Sequence, residues 1–319
     1  MEEKNMFNSL LSADSIISVL AATIRLATPI LLAALGGVYA QRAGILNLGM
    51  EGTMTMGAAL AFITAYHSGS LLLGVLAAIV TGVVYNLIMA WISVTMKANQ
   101  VIAGTALTIL GVGLAAFIYR NVFGIQSLPP QVEAFSVINI PALSKIPVIG
   151  PILFKHNILI YIAYLLVPFT WVVLEKTVFG LNIKTVGEHP RAADSKGIGV
   201  AKTRYAAMMI EGAYAGMAGA FMSLGYMNIF LDGIVGGRGF IAVAVVVFSR
   251  WHPVRAMWGA LIFGFASALQ LRLQAVGANI PNQFLLMLPY LLTILVLISV
   301  SKKAEFPSAY AKPYSRMER

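Results

Sequence analysis

GILNLGMEGTMTMG, residues 44–57, sets one acid, Glu51, among four glycines at the mouth of an apolar run. A carboxylate there has three readings: an anchor at a membrane surface, half of a core ion pair, or part of a path for something that crosses. The surroundings narrow the choice. Of the 319 residues, 59% are hydrophobic and 11% charged, against about 25% charged in an ordinary soluble domain. Apolar runs long enough to span a bilayer recur along nearly the whole chain. The expected fold is therefore an all-α polytopic membrane protein.

Nine spans are expected, near residues 16–40, 45–66, 70–96, 100–119, 157–175, 204–226, 238–250, 256–275 and 284–300. The first contains Arg25 and Pro29, and a proline there predicts a kink. Orientation follows from the basic residues. Segment 176–203 and the C-terminal tail are rich in Lys and Arg and are expected in the cytoplasm. Working back from them leaves fifteen basic residues inside, including Arg42, Arg204, Lys302, Lys303 and Arg319, and five outside, including Lys4 and Arg238. The N-terminus then starts outside. It lacks the basic start and small-residue cleavage site of a signal peptide. The stretch 120–156 carries five prolines and is expected as irregular backbone on the outer surface, as a lid or docking face.

The opening stretch has a counterpart. Gly49-Met50-Glu51-Gly52 precedes one apolar run, and Gly236-Gly237-Arg238-Gly239 precedes another 187 positions later. At this offset the first span maps onto the sixth, and the third and fourth fall opposite the eighth and ninth. The fifth span, 157–175, is left as a linker. The halves, about 16–120 and 204–300, then run in opposite directions, a 4+1+4 inverted repeat of a kind known in transporters. On this topology Glu51 and Arg238 begin helices on opposite sides of the membrane. A direct ion pair then requires both helices to break well inside the bilayer.

The translocation-path candidates are Asn47, Glu51, Glu211, Arg238, Gln270 and Gln274. Asn47 lies one helical turn before Glu51 and is expected on the same face. Glu51 and Arg238 are flanked by glycines, which permit helix breaks, and stand at matching repeat positions; a structural ion pair is the alternative. Glu211 falls inside a span, in MMIEGAYAGMAGAF (208–221), where a charge is costly. It must be neutral, facing a wet cavity, or paired with Arg25 or Arg272. Gly212, Ala215, Gly216 and Gly219 after it read as a small-residue helix contact. Gln270 and Gln274 share a helix face; their amides suit sugar hydroxyls or base edges, or hydrogen bonds between helices. In the cytoplasmic segment, Pro190 suits a first helical turn and Gly197 a C-terminal cap, so RAADSK (191–196) reads as a short helix fit for docking.

Other chemistries lack their residues. There is no cysteine, so no disulfide or thiolate metal site, and the four histidines form no metal-ligand spacing. The net charge of +10 lies in short loops and reflects orientation rather than nucleic-acid binding. No GxxxxGK[ST] or GxSxG occurs. An ATP-driven process would need its ATPase from another polypeptide, and no cofactor or metal is expected on this chain.

Four stretches together carry a resemblance: RAGILNLGMEGTMTMGA (42–58), VGEHPRAADSKGIGVAKTR (186–204), GGRGFIAVAVVVFSRWHP (236–253) and LQLRLQAVGANIPNQFLLMLPYLLTI (269–294). In order and spacing the chain resembles permease subunits of ABC importers, in the branch shared by branched-chain amino acid, ribose-type sugar and nucleoside uptake systems. It looks most like nucleoside permeases, a group often labelled simple-sugar permeases. The resemblance covers about residues 20–300. It implies a transmembrane domain over 1–303, a cytoplasmic coupling segment over 176–203 and a cytoplasmic tail over 304–319. It implies a multi-pass protein of the cell membrane that is not itself an enzyme. Its implied partners are a cytoplasmic ATP-binding subunit, a second permease and an extracytoplasmic substrate-binding protein. By the same resemblance Gly187, Glu188, Pro190, Ala192, Ala193 and Gly197 are positions of the ATPase-coupling helix. The chain departs from the family pattern at Glu211, where related sequences have a small polar residue. The alternatives are a ribose-type sugar permease and an ion-coupled secondary transporter with Glu51 or Glu211 as its proton site.

Overall fold

The computed structural model describes residues 13–316 apart from 127, 142, 277–280 and 302–305. Lys4, Lys302, Lys303 and Arg319 therefore lie outside the described residues. The chain is helical nearly throughout. Helix α1 is Ala13–Arg42, α2 Met50–Ser68, α3 Leu71–Ala90 running into a π turn over Trp91–Thr95, and α4 Gln100–Phe123. After a long connection containing α5 (Ile149–Leu153) come α6 (Ile158–Lys176), α7 (Val178–Glu188) and α8 (Pro190–Ser195). The second half holds α9 (Val200–Ala220, ending in a π turn over Phe221–Tyr226), α10 (Arg238–Phe248), α11 (Pro253–Ala275) and α12 (Asn282–Ser301). Pro29 does not interrupt α1, which continues past it to Arg42.

Among the described residues five helices are long and apolar enough to cross a membrane: α1, α3 with its π turn, α4, α6 and α11. The chain is thus an all-α membrane protein. Helices α2 and α9 fall outside this set. Both are buried through most of their length against other helices, which accommodates their Thr and Gly residues. The proline-rich connection is more ordered than expected. Val137–Asn139 and Lys155–Asn157 pair as an antiparallel ribbon, with Ile138 opposite His156. Strand pairing and local turns satisfy backbone groups that the prolines keep out of a helix. Segment 176–203 holds the eleven-residue helix α7 ahead of α8.

The halves interlock. Helix α1 packs along α11, and α9 packs along α3, so the first helix of each half lies against the third helix of the other. The α9–α3 contact is made by small residues. A Cβ on Gly82 would run into the Gly212 carbonyl, and one on Gly216 into the Ala78 carbonyl. The small-residue stretch after Glu211 thus brings two backbones together as its composition predicts.

Two ends of the bundle gather different loops. At one end the Ala309 amide donates to the Gly187 carbonyl (2.9 Å), the Ala311 amide to Gly44 (3.0 Å), and the Trp251 indole to Gln41 (2.9 Å). These are the segments assigned to the cytoplasm. At the other end Arg120 pairs with Asp232, and the Val132 amide donates to the Asn228 carbonyl at 3.1 Å.

Candidate functional site

Glu51 sits where the halves meet. Its Oε1 accepts the Gly237 amide at 2.7 Å and its Oε2 the Gly239 amide at 2.7 Å. The first turn of a helix leaves its amides without internal partners, and its dipole favours a negative group there. Glu51 supplies that group to α10 while lying in the first turn of its own helix, α2. The approach is close. A Cβ on Gly239 would lie 2.6 Å from Glu51 Cα, and Gly237 has φ 81°, a left-handed conformation that suits glycine. A side chain at Gly239 would push the α2 and α10 termini apart, and one at Gly237 would be strained by the left-handed backbone.

The two repeat signatures abut in the protein interior, where residues 43–49 and 227–237 run as turns before their helices begin. The contact is carboxylate to main chain. The Arg238 guanidinium turns back onto its own loop, with Nη1 2.9 Å from the Val235 carbonyl. No Glu51–Arg238 ion pair forms among the described residues.

Glu211, 1% exposed, anchors a second buried site. Its Oε2 accepts from Asn47 Nδ2 at 2.9 Å and from Asn86 Nδ2 at 3.1 Å. Asn86 also donates to the Met208 carbonyl and accepts from Thr53 Oγ1 at 2.8 Å. Among the described residues the Oε1 atom has no hydrogen-bond partner. The arginine partners proposed from sequence are not used: Arg25 is exposed, and Arg272 donates to Ser15 Oγ at 2.7 Å. Two amides solvate the carboxyl instead. Asn47 does not continue the α2 face of Glu51 either. It precedes the helix, where its Oδ1 accepts the Gly49 amide at 2.8 Å. One side chain thus holds the turn before α2 and reaches Glu211. Asn86 was missed by sequence reasoning. Its signal was a lone amide four residues after Gly82, on the face through which α3 contacts α9.

Gln270 and Gln274 are half-buried on α11 and join neither the Glu51 nor the Glu211 hydrogen bonds. At the loop-rich end, α8 starts at Pro190 and ends before Gly197, whose φ is +81°. Ala192 is exposed, whereas Ala193 is fully buried against Val186 and Val200. Gly187 lies so close to the Arg42 carbonyl that a Cβ would collide with it. Glu188 Oε2 accepts the Ser308 amide and hydroxyl at 3.2 Å each. Arg204, counted from sequence as a loop charge, is 1% exposed. Its Nε donates to the Ala43 carbonyl and its Nη1 to Lys312, both at 3.2 Å. It neutralises carbonyls past the end of α1, where the helix dipole is negative.

Known proteins match this arrangement along its length. No solved structure matches the chain. It is 38% identical over 310 residues to the guanosine ABC transporter permease protein NupQ of Bacillus subtilis, covering 94% of this chain and 97% of that one. It is 35% identical over 300 residues to the nucleoside ABC transporter permease protein NupC of Lactococcus lactis, covering 91% and 94%. A Haloferax volcanii protein provisionally named as a glucose ABC transporter permease, TsgC13, is 37% identical over 325 residues, covering 93% and 97%. Residues 19–297, which include both buried carboxylates and α8, match the family described as the permease component of branched-chain amino acid transport systems. A helical membrane protein whose halves interlock around these glycine-flanked signatures, the chain belongs to that permease family.

Proposed function

We propose that this chain is the membrane-spanning subunit of an ATP-driven nucleoside importer. It crosses the membrane nine times as a 4+1+4 inverted repeat and docks a separate ATPase through α8. A second permease and an extracytoplasmic binding protein complete the assembly, and the ATPase alone binds ATP. The observation that carries the nucleoside reading is full-length similarity to two permeases named for guanosine and nucleosides. The repeat is supported by the exchanged packing of α1 on α11 and α9 on α3, and by the abutting first turns of α2 and α10. The inside assignment of 176–203 and of the tail is supported by their convergence on one end of the bundle.

In this reading transport proceeds by alternating access. ATP closes the ATPase pair, α8 moves, and the halves rock about the junction that Glu51 holds. The path runs between the two permeases, past Arg238, Gln270 and Gln274, which are half-buried. Asn47, Glu51 and Glu211 stand behind that lining and hold it. They are 1%, 7% and 1% exposed and bonded to protein. The binding protein sets much of the specificity, so the lining need only be polar and weakly binding.

Proteoliposomes carrying the complete complex should take up guanosine or uridine only when ATP and the binding protein are present. Glucose and ribose should not compete. Preferential glucose uptake would favour the sugar reading, for which the similarity to TsgC13 is the specific observation. The buried Glu211 is the observation behind an ion-coupled mechanism. Uptake that continues without ATP and stops with an uncoupler would establish it and end the importer proposal.

A further inference from the structure

The segment Phe306–Arg316 is more than a trailing tail. It lies across the loop-rich end and touches five parts of the chain. On α8, Asp194 Oδ2 accepts from Tyr314 Oη at 3.0 Å and pairs with Arg316 Nε at 3.0 Å. At the end of α7, the Ala309 amide donates to the Gly187 carbonyl at 2.9 Å, and Ser308 donates to Glu188. On the turn after α1, the Ala311 amide donates to the Gly44 carbonyl at 3.0 Å. In the turn between α10 and α11, Trp251 meets the rings of Phe306 and Tyr310 at 5.2 and 6.2 Å. Arg204 fastens the same segment from beneath through the Lys312 carbonyl at 3.2 Å.

These anchor points share a property. Gly44 lies in the short turn that leads into α2, and Trp251 lies in the turn that leaves α10. Helices α2 and α10 are the two whose first turns meet at Glu51. The segment therefore holds α8 through the Tyr314 and Arg316 side chains and reaches both helices of the central junction through main-chain hydrogen bonds and a part-exposed aromatic cluster on Trp251. By comparison, α8 itself is short and joins its own neighbours through the single-residue connection at His189 and the glycines Gly197 and Gly199. Packing of Ala193 against Val186 and Val200 holds α8 to its sequence neighbours, and the C-terminal segment adds a second connection that leads inward.

We propose that Phe306–Arg316 is that connection: a strap transmitting the movement of α8 to the α2–α10 junction, with Tyr314, Arg316 and Ala309 as positioning residues. The proposal rests on the reading of α8 as the ATPase contact. Its signature is loss of coupling with docking retained.

The test uses the complete complex in proteoliposomes and measures ATPase co-purification, ATP hydrolysis and nucleoside uptake. Two variants weaken the strap to different degrees: Tyr314→Phe with Arg316→Gln, and a chain ending at Pro307. Both should bring down the ATPase subunit at wild-type stoichiometry and hydrolyse ATP within about twofold of wild type. Uptake per ATP should fall about threefold in the double variant and tenfold or more in the truncated chain, and Arg316→Lys should retain the wild-type ratio. An unchanged uptake-to-hydrolysis ratio in both variants overturns the strap. So does loss of the ATPase from them, because the segment would then be docking surface. If the ATPase fails to co-purify with the unaltered permease, the reading of α8 itself fails, and the strap with it.

Discussion

At Glu51 one side chain serves two main-chain amides at the helix start where the halves touch. Glu51→Gln leaves one acceptor for two amides and removes the charge that favours the helix terminus. Losing a charge-assisted bond in a buried site costs roughly 1.5–3 kcal/mol. The purified variant should melt at lower temperature and show reduced uptake at every pH; wild-type melting would mean that the junction does not depend on the carboxylate. Glu211 makes a different prediction because its partners are donors. Glu211→Ala strands the Asn47 and Asn86 amides, at about 1–3 kcal/mol for each unsatisfied group. Glu211→Gln keeps an acceptor for both and should match or exceed wild-type stability in a detergent melt. If Glu211→Gln folds well yet abolishes uptake, the carboxyl carries a proton in the transport cycle, and the scaffold role assigned to it falls.

At the scale of elements, the α9–α3 contact depends on absent side chains. A Cβ on Gly212 would meet the Gly82 carbonyl and lie 2.9 Å from Asn86 Cβ, so a larger residue forces the helices apart. Overpacking of this kind costs roughly 1–3 kcal/mol or more. Gly212→Leu should sharply lower the yield of monodisperse protein. Gly113→Leu, at an exposed helical glycine with nothing within 4 Å, should not. The same logic separates two alanines that look equivalent in RAADSK. Ala193→Trp would overfill the space beside Val186 and Val200 and unseat α8. Ala192→Trp changes only the exposed side of the helix. Ala192→Trp should therefore insert and fold normally while uptake and ATPase co-purification drop about tenfold. Normal uptake in that variant would remove α8 as the docking element.

For the whole molecule the prediction concerns sidedness. The natural chain has no cysteine, so single cysteines report position without background. In intact cells, Gln126→Cys should react with a membrane-impermeant maleimide. Lys196→Cys should react only after permeabilisation. Both positions are exposed in the folded chain. The opposite pattern would reverse the orientation read from the basic residues, and labelling of both from outside would place the two positions on the same side and overturn the topology. Much of the architecture was legible beforehand because it rests on local composition. The apolar runs marked α1, α3, α4, α6 and α11, and the Pro190-to-Gly197 punctuation marked α8 to within a residue. The ribbon of Val137–Asn139 with Lys155–Asn157 was not legible, since its partners are separated by a proline-rich stretch with no period of two.

The candidate site divides along the same line. Which residues are unusual could be read directly: an acid between glycines, a second acid inside a span, and a matching glycine signature 187 positions on. These are properties of residue type against an apolar background, and they need no knowledge of neighbours. Which residues meet required the folded chain. Glu51 reaches the Gly237 and Gly239 amides, Glu211 rests on Asn47 and Asn86, and the C-terminal segment returns to Gly44, Gly187 and Asp194. Each contact joins positions more than a hundred residues apart or depends on where a turn re-enters the protein. Hydrogen-bond partners at such separations are chosen by helix packing, and the helices pack as they do because glycines let their backbones touch.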